Sequence, residues 1–476
     1  MRFRFISNAG AGIPVIVQLL REGHTVDMWT SKPVGKAVAR GIVPQVSSWR
    51  KSLDDVDVFV FDMVGNGDIA DKLKKMGKKV FGGSLFADRI ELDRSFGLEF
   101  MKRCRINVPE TRTFDFKRSQ DAIQFLRKRE GSGYTIKPHN NAAATDTYVG
   151  YSADETIRMI EHFKSMGSTG EFDLQKTIEG VEVSVEGWFD GTDFMENANM
   201  TFEDKRFLAG DCGPNTGCMG SVVYECGGML VSETLKKTAS TLKHVDYRGP
   251  IDLNLIVTNE EEIFGLEWTP RLGYNAIIAL TAILNEDLGH LISDIASGQA
   301  HNRAQNLSGW GAAVRVSVPP YPNEVTEATT PRGLPILEID HSNPQVFPVD
   351  VEITGQDWRV HGLDGVALEI NGVGNSPREA VEECYEVIQN IVLPNAQYRN
   401  DVGRRASKDS RILRQMGLIT AMGSVFPDET SIFDGEIRRQ TPVTPGYPHD
   451  EALSPDAVKA NNTLSDSTAF SDSIFN

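Results

Sequence analysis

"GPIDLNLIVTNEEEIFGLEWTPRLGYNA", residues 249–276, is the stretch from which the rest of this chain is best read. Its first half alternates. Ile251, Leu253, Leu255 and Val257 fall on one face of an extended segment, and Asp252, Asn254 and Ile256 on the other. "TNEEE" is a turn, and "IFGLEW" returns as the second strand of a hairpin. Glu267 then lies across from Asn254. Two oxygen donors on neighbouring strands suit Mg²⁺, which takes carboxylates, phosphate oxygens and water. Thr269 is two residues on and shares that face. Arg271 follows at the strand end, where a guanidinium can hold a phosphate or carboxylate bidentately. The plain alternative is a structural Glu–Arg pair. Downstream, "NAIIALTAILNEDLGHLI" (275–292) reads as a core helix. Asn285, Glu286 and Asp287 break the apolar run, so it is no membrane span.

Upstream, "EFDLQKTIEGVEVSVEGWFDG" (171–191) reads as two strands joined at Glu179-Gly180. "GYTIKP" (133–138) is a strand carrying Lys137, and "NNAAATDTYVG" (140–150) is a loop of small residues. Such a loop after a lysine-bearing strand can close over a phosphate chain, with Lys137 as a point positive charge. A lone solvated lysine is the plainer reading. "SADETIRMIEHF" opens a helix with a capping box, Ser152 to Glu155. Between these strands and the hairpin stands "GDCGPNTGCMG" (210–220), which reads as a loop with almost nothing to bury. Its two cysteines are either a metal or redox pair or small residues tolerated in a tight loop, and no histidine accompanies them.

The first hundred residues alternate strand and helix. "RFRFIS", "TVDMWT", "DVDVFVFD" and "KKVFGG" are strands, with "IPVIVQLLREG" and "DIADKLKKMG" as helices between them, which means a parallel sheet covered on both faces. "NAGAGIPV" supplies Gly10 and Gly12 but has Val15 where a dinucleotide fingerprint needs a third glycine. A phosphate held at the helix N-terminus beside Gly10 and Gly12, or a tight turn with no ligand, remain the two readings.

Composition bounds the function. The 476 residues carry 49 Lys and Arg against 66 Asp and Glu, a net charge of −17, which argues against a broad nucleic-acid or anionic-membrane surface. Five cysteines, an odd number with no Cys-x-x-Cys, fit reduced thiols in a cytoplasmic compartment.

Four motifs in order resemble the ATP-grasp ligases, and among them the phosphoribosylamine–glycine ligase family. "FGGSLFADRIELDRSFGLEFMKRCRINVPET" is similar to that family's entry into the ATP-binding part, "DKRFLAGDCGPNTGCMG" to its substrate loop, "YRGPIDLNLIV…LEWTPRLGYNA" to its metal-bearing hairpin, and "GVALEINGVGNSPREAVEECYEVIQNI" to its C-terminal domain. The resemblance runs from about residue 1 to residue 407. It implies an N-terminal Rossmann-like parallel α/β domain over 1–100 and an ATP-grasp domain over 101–300 with a mobile lid near 112–180. A mixed β/α C-terminal domain over 305–407 and a 408–476 extension with a polar, disordered tail complete the expected α/β and α+β multidomain fold.

The resemblance also implies roles. Arg94 and Lys137 reach the ATP phosphates, Gln175 and Ile178 flank the base, Glu182 holds the ribose hydroxyls, and Lys205 joins the nucleotide pocket. Asn254, Glu267 and Thr269 hold Mg²⁺ or Mn²⁺. Gly10, Gly12, Asp211, Pro214, Asn215, Thr216 and Arg271 meet the substrates, with Asp211 on the amine and Arg271 on a carboxylate or phosphate. Arg271 and Lys137 are the catalytic candidates. The implied reaction is ATP-dependent joining of glycine to phosphoribosylamine through an acyl phosphate, by a monomer or homodimer with no nucleic-acid or membrane partner; the alternatives are a ligase for a different carboxylate and amine pair, and a nucleotide-binding protein without ligase turnover.

Overall fold

The computed structural model describes residues 1–32, 35, 38–129, 131–139 and 147–420. Among the described residues no helix is long and apolar enough to cross a membrane.

The chain begins with β1 (Arg2–Ser7), α1 (Ile13–Arg21), β2 (Thr25–Thr30), β3 (Val58–Phe61), α2 (Gly67–Lys75) and β4 (Val80–Phe81). The strands form one parallel sheet in the order β2-β1-β3-β4. Both faces are covered, as the unbroken apolar run of β3 requires. Asp27 in β2 is taken by the buried Arg4, whose Nη2 lies 2.8 Å from its carboxylate, so it is not available to hold a ribose.

Helices α3 (Leu85–Leu92) and α4 (Arg94–Arg103) lead into a second unit. There β5 (Thr111–Asp115), α5 (Ser119–Arg127), β6 (Tyr134–Pro138), β7 (Tyr148–Val149), α6 (Ala153–Ser165) and β8 (Glu171–Lys176) build an antiparallel sheet in the order β5-β8-β6-β7. The Ser152 cap is formed, its hydroxyl accepting from the Glu155 N–H, while Glu155 reaches one residue past the cap and accepts from the Tyr151 N–H. This unit has its own core of Phe116, Phe125, Tyr134, Ile136, Phe172 and Leu174. Each buried side chain of this kind contributes roughly 1.5–3 kcal/mol.

The remaining chain is organised by one eight-stranded sheet. It contains β9 (Val181–Phe189), β10 (Ala198–Leu208), β11 (Cys212–Cys226), β12 (Gly249–Val257), β13 (Ile263–Thr269), β14 (Trp310–Ser317), β16 (Val346–Pro348) and β19 (Val366–Gly374). The order is β13-β12-β9-β10-β11-β14-β19-β16. A small sheet of β15 (Pro335–Ile336), β17 (Val351–Thr354) and β18 (Asp357–Val360) flanks it. Gly180 lies at the crossing from β8 to β9. A Cβ there would meet the Val257 carbonyl oxygen at 2.1 Å, so only glycine lets the connection pass this close to the big sheet.

After α7 (Met229–Ser232) and α8 (Ala239–His244), the expected core helix over 275–292 is two helices, α9 (Tyr274–Ile283) and α10 (Leu288–Ser297). Leu284 is extended and bridges to Leu307, and Asp287 caps a fresh helix by accepting from the His290 N–H. Both helices pack with Phe3, Phe5 and Ile16 of the N-terminal unit in one core. The stretch 210–220, read as a loop, is mostly strand. The turn is at 209–211, and β11 starts at Cys212, pairing with β10 through two register shifts. Helix α11 (Pro377–Ile388) starts at the Ser376–Glu379 cap, and α12 (Ala406–Gln415) runs across residue 408 with Leu413 buried. The expected tail from 421 onward lies outside the described residues.

Candidate active site

The hairpin register read from the sequence is present. Asn254 pairs with Glu267, and Asp252 with Thr269. The same register aligns Asn254 with Ser184 and Asp252 with Glu186 on β9, and these with Thr201 and Asn199 on β10. Period-two alternation therefore gathers one polar face across four strands, while Ile251, Leu253, Leu255 and Val257 are buried on the other.

Lys205 of β10 stands among three carboxylates on this face. Its Nζ is 3.1 Å from Glu182, 3.4 Å from Glu203 and 3.7 Å from Glu267. Burial opposes its charge, but the three carboxylates hold its ammonium well above the ordinary lysine value. Glu267 is 47% exposed along an open cleft. Burial pulls its carboxyl up, yet Lys205, Lys137, Arg94 and Arg271 together hold it down at about 2. Burial and the nearby Arg94 guanidinium lower the Lys137 ammonium to about 8, against the pull of Glu267 and Glu182.

Several polar atoms around this cluster are buried without a hydrogen-bond partner, among them Arg94 Nη1, Arg271 Nη1, Asn254 Oδ1 and Glu91 Oε2, with Asn199 Oδ1 and Thr201 Oγ1 on the same sheet face. Orphaned buried donors and acceptors cost about 1–3 kcal/mol each, so a set of them gathered around one charged cluster marks a candidate ligand site. The donors suit an anion, and the Asn254 oxygen suits a cation.

The second antiparallel sheet supplies the opposite wall. Tyr134, Ile136, Phe172 and Leu174 point into its core, which leaves Thr135, Lys137, Asp173 and Gln175 on the other face. Gln175 is buried and donates to Thr111 Oγ1 at 3.3 Å. Ile178 is half-buried just after β8. The loop expected to cover phosphates, 140–150, lies outside the described residues over 140–146.

The substrate candidates divide. Thr216 is buried and donates to the Lys205 carbonyl at 2.9 Å, while Asn215 donates to the Thr147 carbonyl at 3.3 Å and so links β11 to the edge of the second sheet. Pro214 is exposed on β11. Asp211 already has cationic partners, with Arg399 3.2 Å and Arg405 3.9 Å from its carboxylate. Arg271 places both Nε and Nη2 at 2.9 Å from one Glu91 oxygen, leaving Nη1 free. It is thus a Glu–Arg pair with one donor to spare, where the sequence offered pair or ligand as alternatives.

The anion expected at the helix N-terminus is the chain's own. Gly12 N–H donates to Asp62 Oδ2 at 2.7 Å, and Gly10 N–H donates to Ser7 Oγ at 2.7 Å. Burial raises the Asp62 carboxyl to about 6 despite these bonds. Cys218 is buried with its thiol against the Gly220 carbonyl, and Cys212 is exposed; both are free thiols.

Sequence reasoning passed over Glu203, Glu91 and Asp62. Glu203 had a signal, since "FEDKRF" puts it on the same strand face as Lys205. Glu91 and Asp62 gave none, because their partners are 180 and 50 residues away.

Comparison with known proteins agrees with this architecture. Residues 92–271 match the family described as phosphoribosylglycinamide synthetase, ATP-grasp (A) domain. Over those residues the chain is similar to that ATP-grasp domain. Within that class its resemblance is to phosphoribosylamine–glycine ligase. It is 26% identical over 353 residues to that enzyme of Leptospira interrogans, covering 71% of this chain and 80% of the relative. It is 25% identical over 354 residues to that of Nostoc, covering 71% and 81%. In fold it matches the crystal structure of phosphoribosylamine–glycine ligase from Thermotoga maritima with a TM-score of 0.64 at 20% identity, covering 84% of this chain and all of that one.

Proposed function

We propose that the protein is an ATP-dependent carboxylate–amine ligase whose reaction joins glycine to phosphoribosylamine, giving glycinamide ribonucleotide, ADP and phosphate. The observation that carries this reading is the set of buried polar atoms without partners gathered around Glu267, within the field of Lys137, Arg94 and Arg271. In the first step a carboxylate oxygen of glycine attacks the γ-phosphorus and ADP leaves. In the second, the amine nitrogen attacks the acyl carbon, phosphate leaves, and the amine gives up a proton. Such chemistry asks the protein mainly to position reactants and neutralise charge.

Lys137 and Arg94 neutralise the phosphates, and Lys205 adds charge from the sheet below. Gln175 and Ile178 flank the base. Glu182 takes the ribose hydroxyls when it leaves Lys205. Asn254 Oδ1 and Glu267, with Thr269 nearby, fit Mg²⁺ or Mn²⁺: an unpartnered buried oxygen and an ionised carboxylate in register are the hard donors such an ion takes. An ion held by these residues would supply positive charge to offset that of the phosphates. The free Arg271 Nη1 meets the glycine carboxylate, and Asn215 and Thr216 line the substrate side. By the same reading the protein acts on small molecules in the cytoplasm, as a monomer or homodimer.

A second reading keeps the chemistry and changes the amine. It is favoured by Asp62, whose carboxylate fills the helix N-terminus where a substrate phosphate would otherwise sit. One assay separates the two: ADP formation with ATP, Mg²⁺, glycine and freshly generated phosphoribosylamine. Release that needs both substrates supports the first reading. Release with glycine and a non-phosphorylated amine, but none with phosphoribosylamine, supports the second.

A further inference from the structure

The turn after α1 meets the start of α10. Asp287 Oδ1 lies 2.9 Å from His24 Nε2 and 2.9 Å from His290 Nδ1. The three atoms fall within 4.8 Å of one another, and Glu22 Oε2 is 3.9 Å from His24 Nε2. These residues have no part in the cleft described above.

The geometry points to a transition-metal site, of the zinc class, formed by His24, Asp287 and His290 with Glu22 or water in the fourth position. Four observations carry it. First, the donor set is two imidazole nitrogens and carboxylate oxygen, which suits Zn²⁺ and does not suit Mg²⁺. Second, the carboxylates of Asp287 and Glu22 supply negative charge to draw a divalent ion, against the N-terminal ammonium 3.3 Å from His24 Nδ1 and the positive end of the α10 dipole. Third, ligands at about 2.0–2.1 Å in a tetrahedron stand roughly 3.3 Å apart, so the pairs at 2.9 Å need open by only a few tenths of an ångström to admit an ion. His290 is 69% exposed and can make that adjustment, as well as admit the ion from solvent.

The fourth observation is Gly289. A Cβ there would lie 2.2 Å from His24 Nε2. Glycine at this position is what lets the buried imidazole edge reach Asp287, and any side chain would close the site. Glu22 is fixed at the same spot, accepting from the N–H groups of Leu288 and Gly289 at 3.1 and 3.0 Å. A metal here bolts the parallel-sheet unit to α10.

The test uses the full chain carrying Cys212→Ser and Glu267→Gln, which silence an exposed thiol and the cleft carboxylate. After treatment with a chelator it is titrated with Zn²⁺ alone against a coloured competitor, and its thermal unfolding is followed. The site predicts about one ion per chain held at micromolar or tighter and a higher melting midpoint with zinc, since a ligand that binds only the folded state stabilises it. His290→Ala, at an exposed position, folds normally and weakens binding at least about tenfold, the scale expected when a metal site loses a supporting group. Asp287→Asn behaves likewise. Failure of the parent to take up zinc at micromolar concentration, or uptake unchanged in both His290→Ala and Asp287→Asn, would overturn the assignment.

Discussion

Asn254 and Glu267 oppose each other across the β12–β13 ladder, the amide buried and lacking a partner for its oxygen, the carboxylate ionised and open to the cleft. The pairing depends on nothing more than a hairpin and a two-residue period. It sets a cation position directly beside Lys205 and within the field of Lys137, Arg94 and Arg271. Cations and carboxylates are interleaved here with donors left over, which is how a site for a metal-bound polyphosphate differs from a saturated ion-pair network.

Glu91 and Arg271 are both largely buried, and each is the other's main partner. Arg271→Ala strands the Glu91 carboxylate and is expected to cost about 3–5 kcal/mol in urea unfolding. Arg271→Lys keeps the charge and recovers part of that, yet loses the spare Nη1 donor. Its apparent KM for the carboxylate substrate rises while ATP affinity changes little.

Lys137 gives ATP binding a pH signature. Its ammonium in the free protein titrates near 8, below the usual lysine value. Phosphate binds the charged form, so above pH 8 the protein must regain a proton to bind. Affinity is therefore flat below pH 8 and falls roughly tenfold per unit above it. Lys137→Arg stays charged and flattens the profile. Calorimetric titration with ATP between pH 7 and 9.5 reads this out, and a flat wild-type profile speaks against it.

Arg399 is buried and holds Asp204, Asp211 and Asp401. Burial already raises the Asp204 carboxyl to about 6. With Arg399→Met, Asp204 loses its countercharge and titrates higher still. A carboxyl whose native pKa is raised favours the folded state while protonated, and that advantage is lost as pH rises through the native value. The destabilisation, about 3 kcal/mol at pH 8 by denaturant melts, is thus smaller at pH 5.5.

How far the sequence could be read follows from the range of each signal. The strand–helix alternation, the helix start at Ser152 and the 254/267 pairing are local, and all were legible. Where an interaction closes over long separations the sequence was silent, as with Asp62 on Gly12 or Glu91 on Arg271. The glycines of 210–220 suggested a loop because they pack poorly. Strand pairing with β10, tolerant of register shifts, overrode them. The apolar run 275–292 concealed a helix break because Asp287 can cap a new helix without any change in hydrophobic period.

The central claim is that Asn254 and Glu267 hold a divalent ion on a nucleotide whose phosphates face Lys137. Binding of ATP, measured with Mn²⁺ present and then absent, tests it most directly in the wild type, Glu267→Gln, Asn254→Ala and Lys137→Met. The account predicts that the metal tightens ATP in the wild type, that Glu267→Gln and Asn254→Ala lose the metal-dependent part only, and that Lys137→Met weakens ATP with or without the ion. Metal-enhanced binding left intact in both Glu267→Gln and Asn254→Ala would contradict it.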